Sequence, residues 1–396
     1  MTRAHGSGRL RGRWLGLGSA VALLTAALLF PHLWRGALAA ALLVDSVRHG
    51  HPGILAKLSP TPVRIGTHVP RPGGISAADL YLPGSGHPRQ VILLIHGVNE
   101  TGKDDERLVS FAFDLARTGA AVLVPDFPNL RHTRVRPSDP DAVALAYEDL
   151  ADRFREKCRA GRAGACGLMA FSYGVGPALL AAAKPSVRDR MGFVIAFGGY
   201  ADLEDVIRFV TTGSASDPRV RAVPYRWAKW AFLAANADLA VDPGDRVRLR
   251  EMAEARLDND HADVRAVAAA LGPDGRAIWD LITNTDPARV HELLEHLNPA
   301  LRETVSELSP LPHLAQIRAR LLLLHGRADR SIPFTESERL ARAAPDPTRV
   351  DLTLTRVFGH VDPDLPPLHT LAALRFYIPE AWRILRFANA ILSQGC

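Results

Sequence analysis

The chain has 396 residues, 47% apolar and 23% charged, with 48 basic against 42 acidic side chains and a formal net charge of +6. That composition excludes intrinsic disorder, and three cysteines without a Cys-x-x-Cys pair exclude both a disulfide-dense scaffold and a cysteine zinc site. Residues 1–50 hold six arginines against Asp45, a net of +5, so the excess charge is N-terminal and forms no basic face for nucleic acid.

Residues 1–13 read as a basic cytoplasmic segment. From Trp14 to Trp34 no side chain is permanently charged, and these 21 residues would span about 31 Å as a helix, close to the hydrocarbon thickness of a bilayer. Four arginines precede the run, so the positive-inside tendency predicts a transmembrane signal-anchor with the rest of the chain on the extracytoplasmic side. A cleaved signal peptide is the competing reading, because Ala37-Leu38-Ala39 has the small-x-small pattern; the protein would then be secreted. A buried helix of the soluble body is a third. Residues 35–62 read as a linker.

Beyond the linker, 63–69 and 75–82 are predicted strands, separated by the turn-forming stretch Pro70 to Gly74. Val91 to Ile95 is a continuous apolar run ending in His96-Gly97, the pattern of a strand buried on both faces of a parallel sheet. A helix over 104–118, a strand over 121–125 and a helix over 139–159 follow, the last opening on Asp139-Pro140. Then come a strand over 167–171, a helix over 174–184 and a strand over 193–197. Between Asp202 and Ile317 the strand signal vanishes and seven helical segments take its place. After this insertion come a strand at 321–324, a helix over 334–344, a strand at 352–355 and a helical region over 366–393. Alternating apolar strands and helices imply an α/β fold, a mostly parallel sheet flanked by helices. Cys158 and Cys166 lie eight apart at a helix end and a strand start, where they can pair in an oxidising compartment or remain free thiols; the sequence leaves both open.

Three segments carry chemistry. In Gly167–Gly176 an apolar strand runs into Ser172, with Gly174 two residues on and Ala170 two residues before. In LLLLHGRADRSIP (321–333) a buried strand ends in His325-Gly326 and Asp329 lies just past it. His360 follows the strand at 352–355. Active sites of open parallel sheets lie at that carboxyl edge. Other roles compete for each residue: a serine among small residues, an aspartate capping the next helix or pairing with Arg327 or Arg330, a surface histidine.

Taken together, the order Ser172, Asp329, His360 and the strand before each resemble the α/β-hydrolases, with Ser172 on the nucleophile elbow. The resemblance covers about 63–200 and 315–395. It is nearest to dienelactone-hydrolase-like and acylaminoacyl-peptidase-like members, from ADLYLP (78–83) and SPLPHLAQIRARLLLLHGRAD (309–329). One departure is Ala170, where the family usually has glycine. The resemblance implies an α/β-hydrolase core at 63–201 and 318–396, with 202–317 as a helical lid insertion. It implies Ser172 as nucleophile, His360 as its base and Asp329 as the carboxylate that orients His360. The backbone N–H groups of Val98 and Tyr173 would form the oxyanion hole. Asp202 is the fallback acid, and His325 and His96 are weaker base candidates.

The expected function is a serine hydrolase that cleaves carboxylic ester, thioester or amide bonds through an acyl-enzyme, with no metal ion and no cofactor. An acyltransferase or peptidase on the same fold is an alternative, as is a non-catalytic, membrane-tethered binding protein, since fold alone does not prove chemistry. Tyr225, Trp227, Trp230, Phe232 and Leu233 make an aromatic-rich lid helix. They either line the pocket for an apolar acyl substrate or pack the lid onto the core.

Overall fold

The computed structural model describes residues 30–46, 53–159, 163–360 and 371–394. The apolar runs are strands, because helices cover both sides of them. β1 (Val63–Arg71) and β2 (Gly74–Leu82) form an antiparallel hairpin whose turn needs the positive φ of Gly73, 75°. β3 (Gln90–Ile95), β4 (Ala120–Pro125), β5 (Cys166–Phe171), β6 (Phe193–Phe197), β7 (Arg320–Gly326) and β8 (Val350–Thr355) complete one sheet in the order β1-β2-β4-β3-β5-β6-β7-β8. β2 pairs with β4 antiparallel, and every pairing from β4 across to β8 is parallel. All six residues of β3 and of β4 are buried, as a strand covered on both faces requires.

Side-chain alternation divides the core in two. Val91, Leu93 and Ile95 face a core closed by helices Asp139–Arg153, Val175–Ala183 and Thr335–Ala343. Ile92 and Leu94 face the other core, closed by helix 30–46, Glu106–Arg117 and Leu371–Leu392. The chain leaves β3 for β4 on one side and then returns to β5 on the other, so the strand order reverses between β3 and β5. The carboxyl edge at such a reversal is where open α/β sheets place their crevice.

The expected span over 14–34 lies outside the described residues except for 30–34, which begin helix 30–46. Among the described residues no helix is long and apolar enough to cross a membrane. The linker expected over 35–62 is corrected. Its first part is helical and packs on the core, because Leu38, Ala39, Ala41 and Leu42 recur at helical spacing and are all buried. Asp45 then accepts from the N–H groups of Ile54 and Leu55, both at 2.8 Å, starting the short helix Ile54–Leu58, whose Leu55 is buried.

The insertion builds cores of its own, one around Trp230, Leu249 and Met252 and another around Val290 and Leu293. Its expected end at 317 is corrected too, since Leu314 and Ile317 pack into the main core. Bonds at the carboxyl rim fasten it: Asn236 accepts from the Val135 N–H at 3.0 Å, and the Tyr225 N–H reaches Arg330 O at 3.4 Å. Buried Glu336 accepts from the N–H groups of Ala201 and Asp202, at 2.9 and 2.8 Å, where the insertion leaves the sheet. The open question of the cysteines is resolved as a disulfide between Cys158 and Cys166, with 5.5 Å between Cα atoms. It ties the segment after helix Asp139–Arg153 to the first residue of β5.

Helix 30–46 meets Glu106–Arg117 near two acids. Burial first, and then the Asp45 carboxylate, push Asp114 up to about 7 against the opposing charge of Arg117. An unfolded aspartate ionises near 3.9, so the contribution of Asp114 to stability falls as pH rises from about 4 to 7 and is level above. Asp114→Asn removes that penalty. Its thermal midpoint should exceed that of the natural chain by several degrees at pH 8, with the gap shrinking towards pH 4 in a melting series.

Candidate active site

Ser172 sits where β5 hands over to helix Val175–Ala183, and its φ of 53° is left-handed. A serine there costs roughly 1–2 kcal/mol, and it persists because both flanking elements are buried in the sheet and the core. Gly174 is required on one side: a Cβ there would lie 2.8 Å from His96 O and 3.1 Å from Ile95. Ala170, on the other side, stands in register between Ile95 and Ala196, where one methyl fits.

The tips of three strands converge. The Ser172 Oγ–H points to His360 Nε2 at 2.7 Å, and His360 Nδ1–H donates to Asp329 Oδ2 at 2.5 Å. Asp329 Oδ1 accepts from the N–H groups of Ser331 and Ile332, at 2.7 and 2.9 Å. Burial opposes charge on Asp329, yet His360 and then His325 hold its carboxyl well below the usual carboxylate range. The carboxylate is therefore ionised and fixes the imidazole tautomer that leaves Nε2 free to accept. A hydroxyl, an imidazole and a carboxylate in this line can relay a proton away from an attacking oxygen.

The remaining candidates are held elsewhere. His325 lies 3.0 Å from Ile332 O and 3.3 Å from Asp329 Oδ2 through Nε2, both acceptors, so Nε2 carries hydrogen. Its Nδ1 accepts from Ser337 Oγ at 2.7 Å. It thus steadies Asp329 and does not reach the serine. Asp202 caps helix Leu203–Thr212 through the Glu204 N–H at 2.9 Å and pairs with Arg339 at 3.0 Å. Val98 lines the cavity beside Ser172. Tyr173 follows Ser172 in the turn, with its hydroxyl turned away to donate to Asp139 at 3.1 Å.

That cavity has a volume of about 770 Å³ and is lined by no described residue of the insertion. Of the two readings of the lid aromatics, lining of this cavity does not hold among the described residues. Trp230 and Leu233 are buried inside the insertion, Trp230 stacked on Trp279 at 5.8 Å and donating to Asp260 at 3.1 Å. Arg330 covers Tyr225 at 4.4 Å, and Trp227 is 68% exposed. The walls come in large part from helices 30–46 and Leu371–Leu392, which the sequence reading divided among anchor, linker and core without assigning them to the pocket. The apolar recurrence in 38–43 and in 377–391 was the available sign.

No family model and no curated protein matches the chain. Among solved structures, one from Legionella pneumophila named only as a hydrolase aligns at TM-score 0.50 and 15% identity, covering 89% of this chain and 94% of that one. The thermophilic carboxylesterase EstE1, cloned from a metagenomic library, aligns at 0.46 and 15% identity over 92% of this chain and 97% of its own. A puromycin-hydrolyzing peptidase of Mycobacterium tuberculosis aligns at 0.44 and 15% identity over 85% of this chain, which spans 39% of that protein's length. At these identities the likeness is one of fold.

His96 sets the loop after β3. Its Nε2 accepts from the Phe127 N–H at 3.1 Å, so Nδ1–H donates to Gly97 O at 2.7 Å, and burial lowers its pKa and keeps the ring neutral. His96→Phe leaves the buried Phe127 N–H without this acceptor. It should lower unfolding free energy by about 1–3 kcal/mol in denaturant titration.

Proposed function

On the α/β-hydrolase fold that this chain shares with those structures, we propose a serine hydrolase that cleaves carboxylic esters through an acyl-enzyme. The observation that carries this reading is the line from Ser172 through His360 to buried Asp329, at 2.7 and 2.5 Å. Ser172 Oγ attacks the substrate carbonyl while His360 Nε2 takes its proton, and ionised Asp329 stabilises the imidazolium. The tetrahedral oxyanion is received by the N–H groups of Val98 and Tyr173. His360 returns the proton to the leaving alcohol, and water then releases the acid by the same steps. These steps draw only on groups of the chain itself. A thioesterase, amidase, acyltransferase or peptidase would begin with the same acyl-enzyme, and product analysis with water, alcohol and amine acceptors separates them.

We further propose that residues 14–34 anchor the protein in a membrane with the enzyme body on the extracytoplasmic side. Support comes from the uncharged run and the arginines before it. The Cys158–Cys166 disulfide fits an oxidising compartment. Leu38, the first core-packed residue described, comes four positions after the run ends, about 6 Å of helix, so the body would stand close to the bilayer surface. Fractionation should place the full-length chain in membranes; a soluble mature form beginning near residue 40 would favour the cleaved signal peptide.

Ser172→Ala should abolish p-nitrophenyl ester turnover and labelling by a fluorophosphonate, with the melting curve retained; persistent labelling would remove Ser172 as the nucleophile. Asp329→Asn should lower kcat by about 10⁴-fold, with KM much less affected, in steady-state ester hydrolysis.

A further inference from the structure

We propose that the acyl part of the substrate is a long hydrocarbon chain lying between the two terminal helices, and that Ala388 sets the length accepted. This rests on the hydrolase reading of Ser172. Helix Leu371–Leu392 presents Tyr377, Ala381, Ile384, Ala388 and Ile391 to the cavity, a stripe whose ends are about 21 Å apart along the helix axis. The helix is anchored at both ends of the strands, carboxyl and amino. Glu380 accepts from Thr355 Oγ1 at 2.8 Å, at the carboxyl end of β8 beside the site. Gln90, at the amino end of β3, donates to Ile391 O at 2.6 Å. The groove therefore leads from Ser172 down the face of the sheet, and Ala388, 2% exposed, lies towards its distal end.

The walls offer such a chain hydrocarbon. Ala40 and Leu43 of helix 30–46 line the cavity, as do Phe111, Phe171, Phe197 and Phe358. The polar residues among them are already engaged. Asn99 Oδ1 accepts from the Gly102 N–H at 2.5 Å, and Asp105 caps helix Glu106–Arg117 while pairing with Arg107 at 3.0 Å. Glu380 is fully buried and is held by Thr355, Arg356 and Arg383. A charged or peptide-like acyl group would lose water and find few partners here, whereas each methylene gains from burial. Alanines at 40, 381 and 388 keep the groove open.

The test uses the full chain in mild detergent with p-nitrophenyl acetate, butyrate, octanoate and dodecanoate. kcat/KM should rise by up to about fourfold per methylene and exceed a hundredfold between acetate and dodecanoate. Ala388→Phe, checked for folding by its melting curve, should lower the dodecanoate-to-acetate ratio at least tenfold. A flat or acetate-favouring profile in a natural chain that still reacts with fluorophosphonate overturns the acyl-chain proposal alone, as does an unchanged ratio in a folded Ala388→Phe. If Ala388→Phe does not fold, the natural profile decides. Binding separates the two readings: Ser172→Ala should retain a fluorescent long-chain fatty acid, and a natural chain that binds that fatty acid but takes no fluorophosphonate label would sink the hydrolase reading and leave the groove.

Discussion

A single backbone conformation governs the site: Ser172 held left-handed at φ 53° where β5 ends. In that turn the serine hydroxyl stands clear of the strand and meets His360, which arrives from a loop 188 residues later. The strain is tolerable because β5 runs through the middle of the sheet and helix Val175–Ala183 is buried along its length. The same crowding requires Gly174, since any Cβ there would strike the loop after β3. The Ser172 turn and the His96 loop are thus packed as one unit, and each limits what the other can become.

Electrostatics completes the arrangement. Asp329 is buried, and burial alone would neutralise it; the two histidines and two backbone N–H groups keep it charged. His360 and His325 therefore have different tasks although both touch Asp329 Oδ2. One bridges to the serine, while the other is locked between Ile332 and Ser337 and holds the carboxylate in place.

The wall of the cavity comes from both ends of the chain. Helix 30–46 and helix Leu371–Leu392 pack on the same face of the sheet and meet over the site's groove. The insertion, though fastened to the same rim, keeps Trp230 and Trp279 for its own core. The cavity beside Ser172 and the N-terminal region are therefore physically joined. Helix 30–46 is at once a wall of the cavity and the continuation of the uncharged run before it.

The sheet strands, the helices between them and the order Ser172, Asp329, His360 were legible without coordinates. A strand buried on both faces has to be a continuous apolar run such as Val91 to Ile95, and the small residues around Ser172 follow from local crowding that any chain making that turn must obey. Those are short-range constraints, written into neighbouring residues. The meeting of three loops at 2.7 and 2.5 Å, the pairing of Cys158 with Cys166, and the wall built from helices 30–46 and Leu371–Leu392 were decided only by tertiary structure. An apolar stripe such as Leu38, Ala39 and Leu42 declares that it will be buried but does not name its partner, and the aromatic residues at 225–233 advertised a pocket they do not line. Hydrophobic burial has no direction of its own, so which surfaces meet depends on the whole chain closing at once.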